Sequence, residues 1–139
     1  MKIDYKNDIS VTDFNHLRKA CNFTEIDEKQ ALTGIQNSAF ILSAVHEGKT
    51  VGITRVIRDG GYVVLIADVL VLPEYQRKGI GKAMMEKAMK YINDSLKEGQ
   101  RVMINLMAAE GKEPFYAQFG FTIRPHERLG AGMSQWLSK

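Results

Sequence analysis

Residues 39–72, AFILSAVHEGKTVGITRVIRDGGYVVLIADVLVL, restrict the fold more than any other part of the chain. β-Branched and aliphatic residues dominate, and the two interruptions, Glu47-Gly48-Lys49 and Asp59-Gly60-Gly61, are turn sequences. The pattern predicts three antiparallel strands at about 39–46, 50–58 and 61–71, joined by two hairpins. A sheet of this kind has an apolar face that helices from elsewhere in the chain must cover.

The remaining segments supply those helices. Met1 to Tyr5 alternates weakly and reads as a first strand; Ser10 or Thr12 can cap a helix with Phe14, Leu17 and Ala20 on one face, and a second helix covers Asp27 to Ile35. After Pro73 the period lengthens. Ile80, Met84, Ala88, Tyr91 and Leu96 share one helical face, which predicts a helix over about 79–97 ended by Gly99. Arg101 to Met107 reads as a buried strand and Glu113 to Gln118 as a short helix, with Phe121–Arg124 and Met133–Leu137 as closing strands. The expected fold is mixed α/β, a largely antiparallel sheet flanked by helices in a single domain over 1–139, without repeat, low-complexity tract or linker.

Composition narrows the function. Cys21 is the one cysteine, which excludes an internal disulfide and a cysteine-based zinc cluster, and we read it as a buried or half-buried structural thiol. His16, His46 and His126 lack metal-ligand spacing, so no metal is expected. The N-terminus carries charge where a signal peptide needs an apolar stretch, and the longest uncharged apolar run, Tyr62 to Ala67, cannot span a bilayer; the expectation is a cytoplasmic protein without a membrane partner. A net charge of +3 with no aromatic residues interleaved in a basic run argues for an anionic small ligand and against nucleic acid.

One stretch opposes its local structure. In Gln76 to Lys82, QRKGIGK, two glycines occupy the start of the best helix, although each weakens a helix by about 1 kcal/mol against alanine. A helix start presents unpaired N–H groups and the positive end of the macrodipole, so small residues there can cradle phosphate. Arg77, Lys78 and Lys82 add positive charge; a plain loop-to-helix junction in solvent is the other reading of the same residues. The spacing matches neither a P-loop nor a dinucleotide fingerprint, since Met84 stands at the third glycine position.

QRKGIG following DVLVLPEY resembles the acyl-CoA pyrophosphate loop, Q/R-x-x-G-x-G/A, of the GNAT N-acetyltransferase superfamily. Asn105 to Phe121, NLMAAEGKEPFYAQFGF, resembles that family's second signature, a strand followed by a short helix ending in F-Y-x-x-x-G-F. The two motifs cover roughly Ile66 to Phe121, and the closing LGAGMSQWL is similar to the last strand of small bacterial members and of the plant serotonin acetyltransferase-like branch. The first sixty residues match in element order alone.

The resemblance implies a central sheet of about six to seven strands, splayed between strands 4 and 5, with about four helices, and acetyl-CoA as acetyl donor. Backbone groups of Val69, Leu70 and Val71 would hold the pantetheine arm, and amides across Gln76, Arg77, Lys78, Gly79, Ile80, Gly81 and Lys82 the pyrophosphate. Asn105 and Phe115 would line the arm, and Tyr116, which alone reads as a core tyrosine, would protonate the departing thiolate. The implied reaction is direct attack of a primary amine, on a small molecule or a peptide, upon the thioester. Members with a glutamate or histidine on the fourth strand align it with Leu65 and Ala67 here, so no base stands there. Asp68 is the nearest carboxylate, though strand alternation turns it to the opposite face from 65 and 67; water, Glu25, Asp27 or Glu28 are the alternatives. That missing base leaves a non-catalytic acyl-CoA sensor as the second reading. A homodimer, through the C-terminal strands, is also implied.

Overall fold

In the computed structural model, which describes residues 1–139, both expected turns close hairpins. β2 (Phe40–His46), β3 (Lys49–Arg58) and β4 (Val63–Val71) run antiparallel, with Phe40 opposite Val56 and Arg55 opposite Ala67. Glu47 and Gly48 both take positive φ, 48° and 78°, the conformation a two-residue hairpin turn needs to match the twist of its strands. β1 (Asp4–Lys6) adds antiparallel to β2, and β5 (Met103–Asn105) adds parallel to β4, giving the order β1-β2-β3-β4-β5.

The sheet therefore has five strands, fewer than the six to seven expected. Phe121–Arg124 and Met133–Leu137 do not form strands. In the latter, Met133 and Leu137 would share one face and Trp136 the other, so no single apolar face exists to be covered, and the three side chains are 89%, 91% and 76% exposed.

The helices form where capping and spacing place them. Ser10 Oγ accepts from the Asp13 amide at 3.1 Å to start α1 (Val11–Ala20), and the Asp27 carboxylate accepts from the Gln30 amide at 3.0 Å to start α2 (Glu28–Gln36). α3 (Ile80–Asp94) stops short of the expected residue 97, because Ser95 Oγ donates to the Ile92 carbonyl at 2.6 Å and accepts from Arg58 Nη1 at 2.7 Å. A short helix, α4 (Glu113–Ala117), follows β5 with Pro114 in its first turn.

The two faces of the sheet are distinguished by β3. Ile53 and Arg55 face α1 and α2, with Arg55 Nη1 donating to the α2 carbonyl of Gly34 at 2.9 Å. Gly52, Thr54, Val56 and Arg58 alternate to the face covered by α3. A Cβ on Gly52 would lie 3.1 Å from both the Leu70 carbonyl oxygen and Met84 Cε, so glycine is what allows α3 to approach the sheet. Leu17, Ile53, Met84 and Leu72 are fully buried in the core, each stabilising the fold by about 1.5–3 kcal/mol relative to exposure.

The chain forms two compact units, Met1–Leu106 and Met107–Lys139. The first holds the sheet with α1, α2 and α3. The second holds α4, where Phe115 packs edge-on against Tyr116 and Phe119 at 5.0 and 5.4 Å between ring centroids.

Candidate active site

The sheet opens between β4 and β5. Their pairing runs only over Val63↔Met103, Val64↔Ile104 and Leu65↔Asn105, while β4 continues to Val71. The Leu72 amide donates to the Val51 carbonyl of β3 at 2.9 Å, so alternation turns the main-chain groups of Leu70 toward β3 and those of Val69 and Val71 into the gap. The Val71 carbonyl accepts from Gln76 Nε2 at 2.9 Å and from Cys21 Sγ at 3.3 Å. Burial pushes the Cys21 thiol up, in keeping with a structural thiol. Asn105 stands where the strands part, and its side chain has no protein hydrogen-bond partner.

Directly after β4, Pro73–Tyr75 make one 3-10 turn and the exposed residues Gln76–Gly79 lead into α3. Arg77 and Gly79 take positive φ, 62° and 83°, and a Cβ on Gly79 would meet nothing within 4 Å. Unlike α1 and α2, α3 has no side-chain cap and no acidic residue in its first turn. The amides of Ile80, Gly81 and Lys82 therefore lack an intrahelical acceptor, in a segment that also carries the cationic Arg77, Lys78 and Lys82.

Asp68 corrects the alternation argument. β3 and β4 lose register between Ile53 and Arg55, where β4 carries an additional residue, and Asp68 takes φ 55°. This bulge rotates the Asp68 carboxylate onto the same face as Arg55 and its cross-strand partner Ala67. There Oδ1 accepts from Arg18 Nη1 and Oδ2 from Arg55 Nε, both at 2.7 Å, with 9% of the side chain exposed. Both oxygens are engaged by arginine, an arrangement that holds α1 to the strand bulge.

Sequence reasoning did not single out Arg18 or Arg55. The available signal was an arginine four residues after Phe14 on the apolar face of α1, and another within an otherwise β-branched strand.

In the second unit, Tyr116 is buried in α4 with Phe121 at 6.5 Å between centroids. Burial pushes its phenol up to about 12, which keeps it protonated throughout the physiological range. Phe115 is half-buried beside it.

The first unit thus combines a parallel β-α-β crossover grafted on an antiparallel meander, a gap between the crossover strands and a helix N-terminus without a side-chain cap. Residues 8–135 match the family model described as an acetyltransferase (GNAT) domain, and the chain belongs to the GNAT acetyltransferase family. The crystal structure of SA2161 from Staphylococcus aureus, described as a protein of unknown function and probable acetyltransferase, superposes with a TM-score of 0.87 at 30% identity, covering 98% of this chain and 100% of that one. An uncharacterized N-acetyltransferase, ycf52, of Pyropia yezoensis is 24% identical over 89% of this chain and 75% of its own length. GCN5-related N-acetyltransferase 2, chloroplastic, of Arabidopsis thaliana is 37% identical over 57% of this chain, which spans 29% of that protein. The mixed sheet and four helices are the GNAT fold.

Proposed function

We propose that this chain transfers acetyl from acetyl-CoA to a primary amine by direct attack in a ternary complex. The observation that carries the reading is the uncapped start of α3 behind Gly79, next to a strand whose Val69 and Val71 main-chain groups face a gap in the sheet. These residues fit the donor: a pyrophosphate suits the free amides of Gly79 to Lys82 with Arg77 and Lys78, and a pantetheine amide suits the edge of β4 and Asn105. The donor supplies an activated thioester carbonyl.

Val69 and Val71 amides offer hydrogen bonds that pre-exist in the fold and need no rearrangement. Tyr116, held neutral by burial, is assigned to the sulfur. Because a thiol titrates near ~8.5 and this phenol near 12, the tyrosine acts chiefly by donating a hydrogen bond to developing thiolate charge. Asp68 is a positioning residue in this reading, since both of its oxygens are held by arginine. The amine is then deprotonated by water or an acidic residue of the α1–α2 segment. A cytoplasmic location and a homodimer belong to the same proposal.

A non-catalytic acyl-CoA sensor is favoured by one observation, the apolar Leu65 and Ala67 at the expected base positions. Calorimetric titration of acetyl-CoA into the wild type and into the Gly79→Glu/Gly81→Glu variant tests both readings. Micromolar binding lost in a variant that keeps its circular dichroism supports the phosphate cradle; no binding to the wild type overturns it. Thiol release with an amine panel then separates transferase from sensor.

A further inference from the structure

The α1–α2 face of the sheet contains a charge imbalance. Arg18 donates Nε to the Thr24 carbonyl at 2.7 Å and Nη1 to Asp68, while Arg55 donates Nε to Asp68 and Nη1 to the Gly34 carbonyl and, at 3.1 Å, to Ser38 Oγ. Two guanidiniums share one carboxylate, although their side chains are only 10% and 13% exposed. Phe14 offsets part of the excess, with the Arg18 and Arg55 Cζ atoms 5.9 and 5.7 Å from its ring centroid.

Neither Nη2 has an acceptor in the protein. Thr54 Oγ1 is the one unpartnered polar side-chain atom sealed from solvent, so each Nη2 keeps some contact with solvent. Leu65, cross-strand from Ile57, and Ala67, cross-strand from Arg55, lie on the same face, and Phe23 packs beside Arg18 with its ring centroid 5.6 Å from Cζ. Free donors of a nearly buried, net positive pair, bordered by apolar side chains, favour a ligand that brings acceptor oxygens and negative charge together. A neutral carbonyl would satisfy the donors and leave the charge unbalanced.

We propose that the acceptor carries an oxyanion, a carboxylate or a phosphate, in addition to its amine, and that the Nη2 edges of Arg18 and Arg55 bind that oxyanion. This specificity rests on the acetyltransferase reading for its chemistry and on the arginine geometry alone for its binding.

The test uses matched pairs differing by the oxyanion: phenylalanine and phenethylamine, lysine and cadaverine, O-phosphoethanolamine and ethanolamine. Each is titrated calorimetrically into the full chain with CoA present. At least one acid should bind about 10–100-fold more tightly than its amine, the scale of charge-assisted hydrogen bonds. The phosphate arm distinguishes phosphate from carboxylate. Arg55→Lys, which retains a cation for Asp68, should erase most of that preference while its circular dichroism stays native. Hydrocinnamate, an acid with no amine, should compete with phenylalanine in the wild type if the carboxylate arm is the one selected. Equal binding across all three pairs, or a preference that survives both Arg55→Lys and Arg18→Lys, overturns the proposal. Tight acid binding without acetyl transfer upholds the oxyanion site and overturns the transferase reading; loss of acetyl-CoA binding leaves the acid-to-amine comparison intact.

Discussion

The role proposed for Tyr116 and its contribution to stability both depend on the same burial. A phenol pushed up to about 12 is protonated in the folded state over a range where the unfolded chain, near ~10, ionises. Its raised folded value contributes stability that is complete below pH ~10 and is lost as pH rises toward 12, about 2–3 kcal/mol over the window. Wild type should therefore lose stability faster than Tyr116→Phe between pH 10 and 12 in urea titrations; parallel curves would show a phenol in contact with water. In turnover, Tyr116→Phe should lower kcat by about 10–100-fold and leave acetyl-CoA affinity unchanged, since the hydrogen bond strengthens only as the sulfur gains charge. A rise in KM with kcat intact would assign the residue to binding. At Asp68, the Asn variant tolerates the left-handed backbone and removes only the charge. Leaving Arg18 and Arg55 uncompensated should cost about 3 kcal/mol by urea denaturation, and a loss below about 0.5 would mean that the ion pairs do not hold the bulge.

At the scale of elements, the site depends on how closely α3 lies on the sheet. Gly52 sets that distance, because the Leu70 carbonyl cannot yield to a methyl group as Met84 can. Gly52→Ala should destabilise the fold by about 1–3 kcal/mol through overpacking, read as a lower urea midpoint at unchanged m. A neutral result would show that α3 rides outward without penalty. The bare N-terminus of α3 contrasts with the side-chain caps of α1 and α2, and the contrast has an energetic meaning: a cap worth about 1 kcal/mol is forgone where an anion can take its place. The hairpins, α1, α2 and the start of α3 were legible from turn residues, caps and period, all of which act within a few residues. The end of α3 was not, because Ser95 is bonded to Arg58 of a distant strand.

For the molecule as a whole, no helix is long and apolar enough to cross a membrane. Among its exposed apolar groups, Met133, Trp136 and Leu137 lie together in sequence near the C-terminus. Trp136 is the sole tryptophan, so its fluorescence reports this segment alone. A monomer should leave it freely quenched by acrylamide at every protein concentration. The proposed homodimer through the C-terminal residues should instead shield it progressively as concentration rises, in step with the mass from sedimentation equilibrium.

The sequence by itself determined the antiparallel meander, the crossover helix and the glycine-marked start of that helix, since each is written in contiguous residues. It also carried the family, through two motifs whose spacing follows from the same elements. Tertiary structure decided the rest. The side on which Asp68 lies depends on a bulge that only the register of β3 against β4 reveals. The pairing of Arg18 with Arg55 across one carboxylate joins residues remote in the chain, and no local pattern encodes that meeting. The strand count fell to five because a strand requires a partner as well as a propensity, and the C-terminal residues have the second without the first.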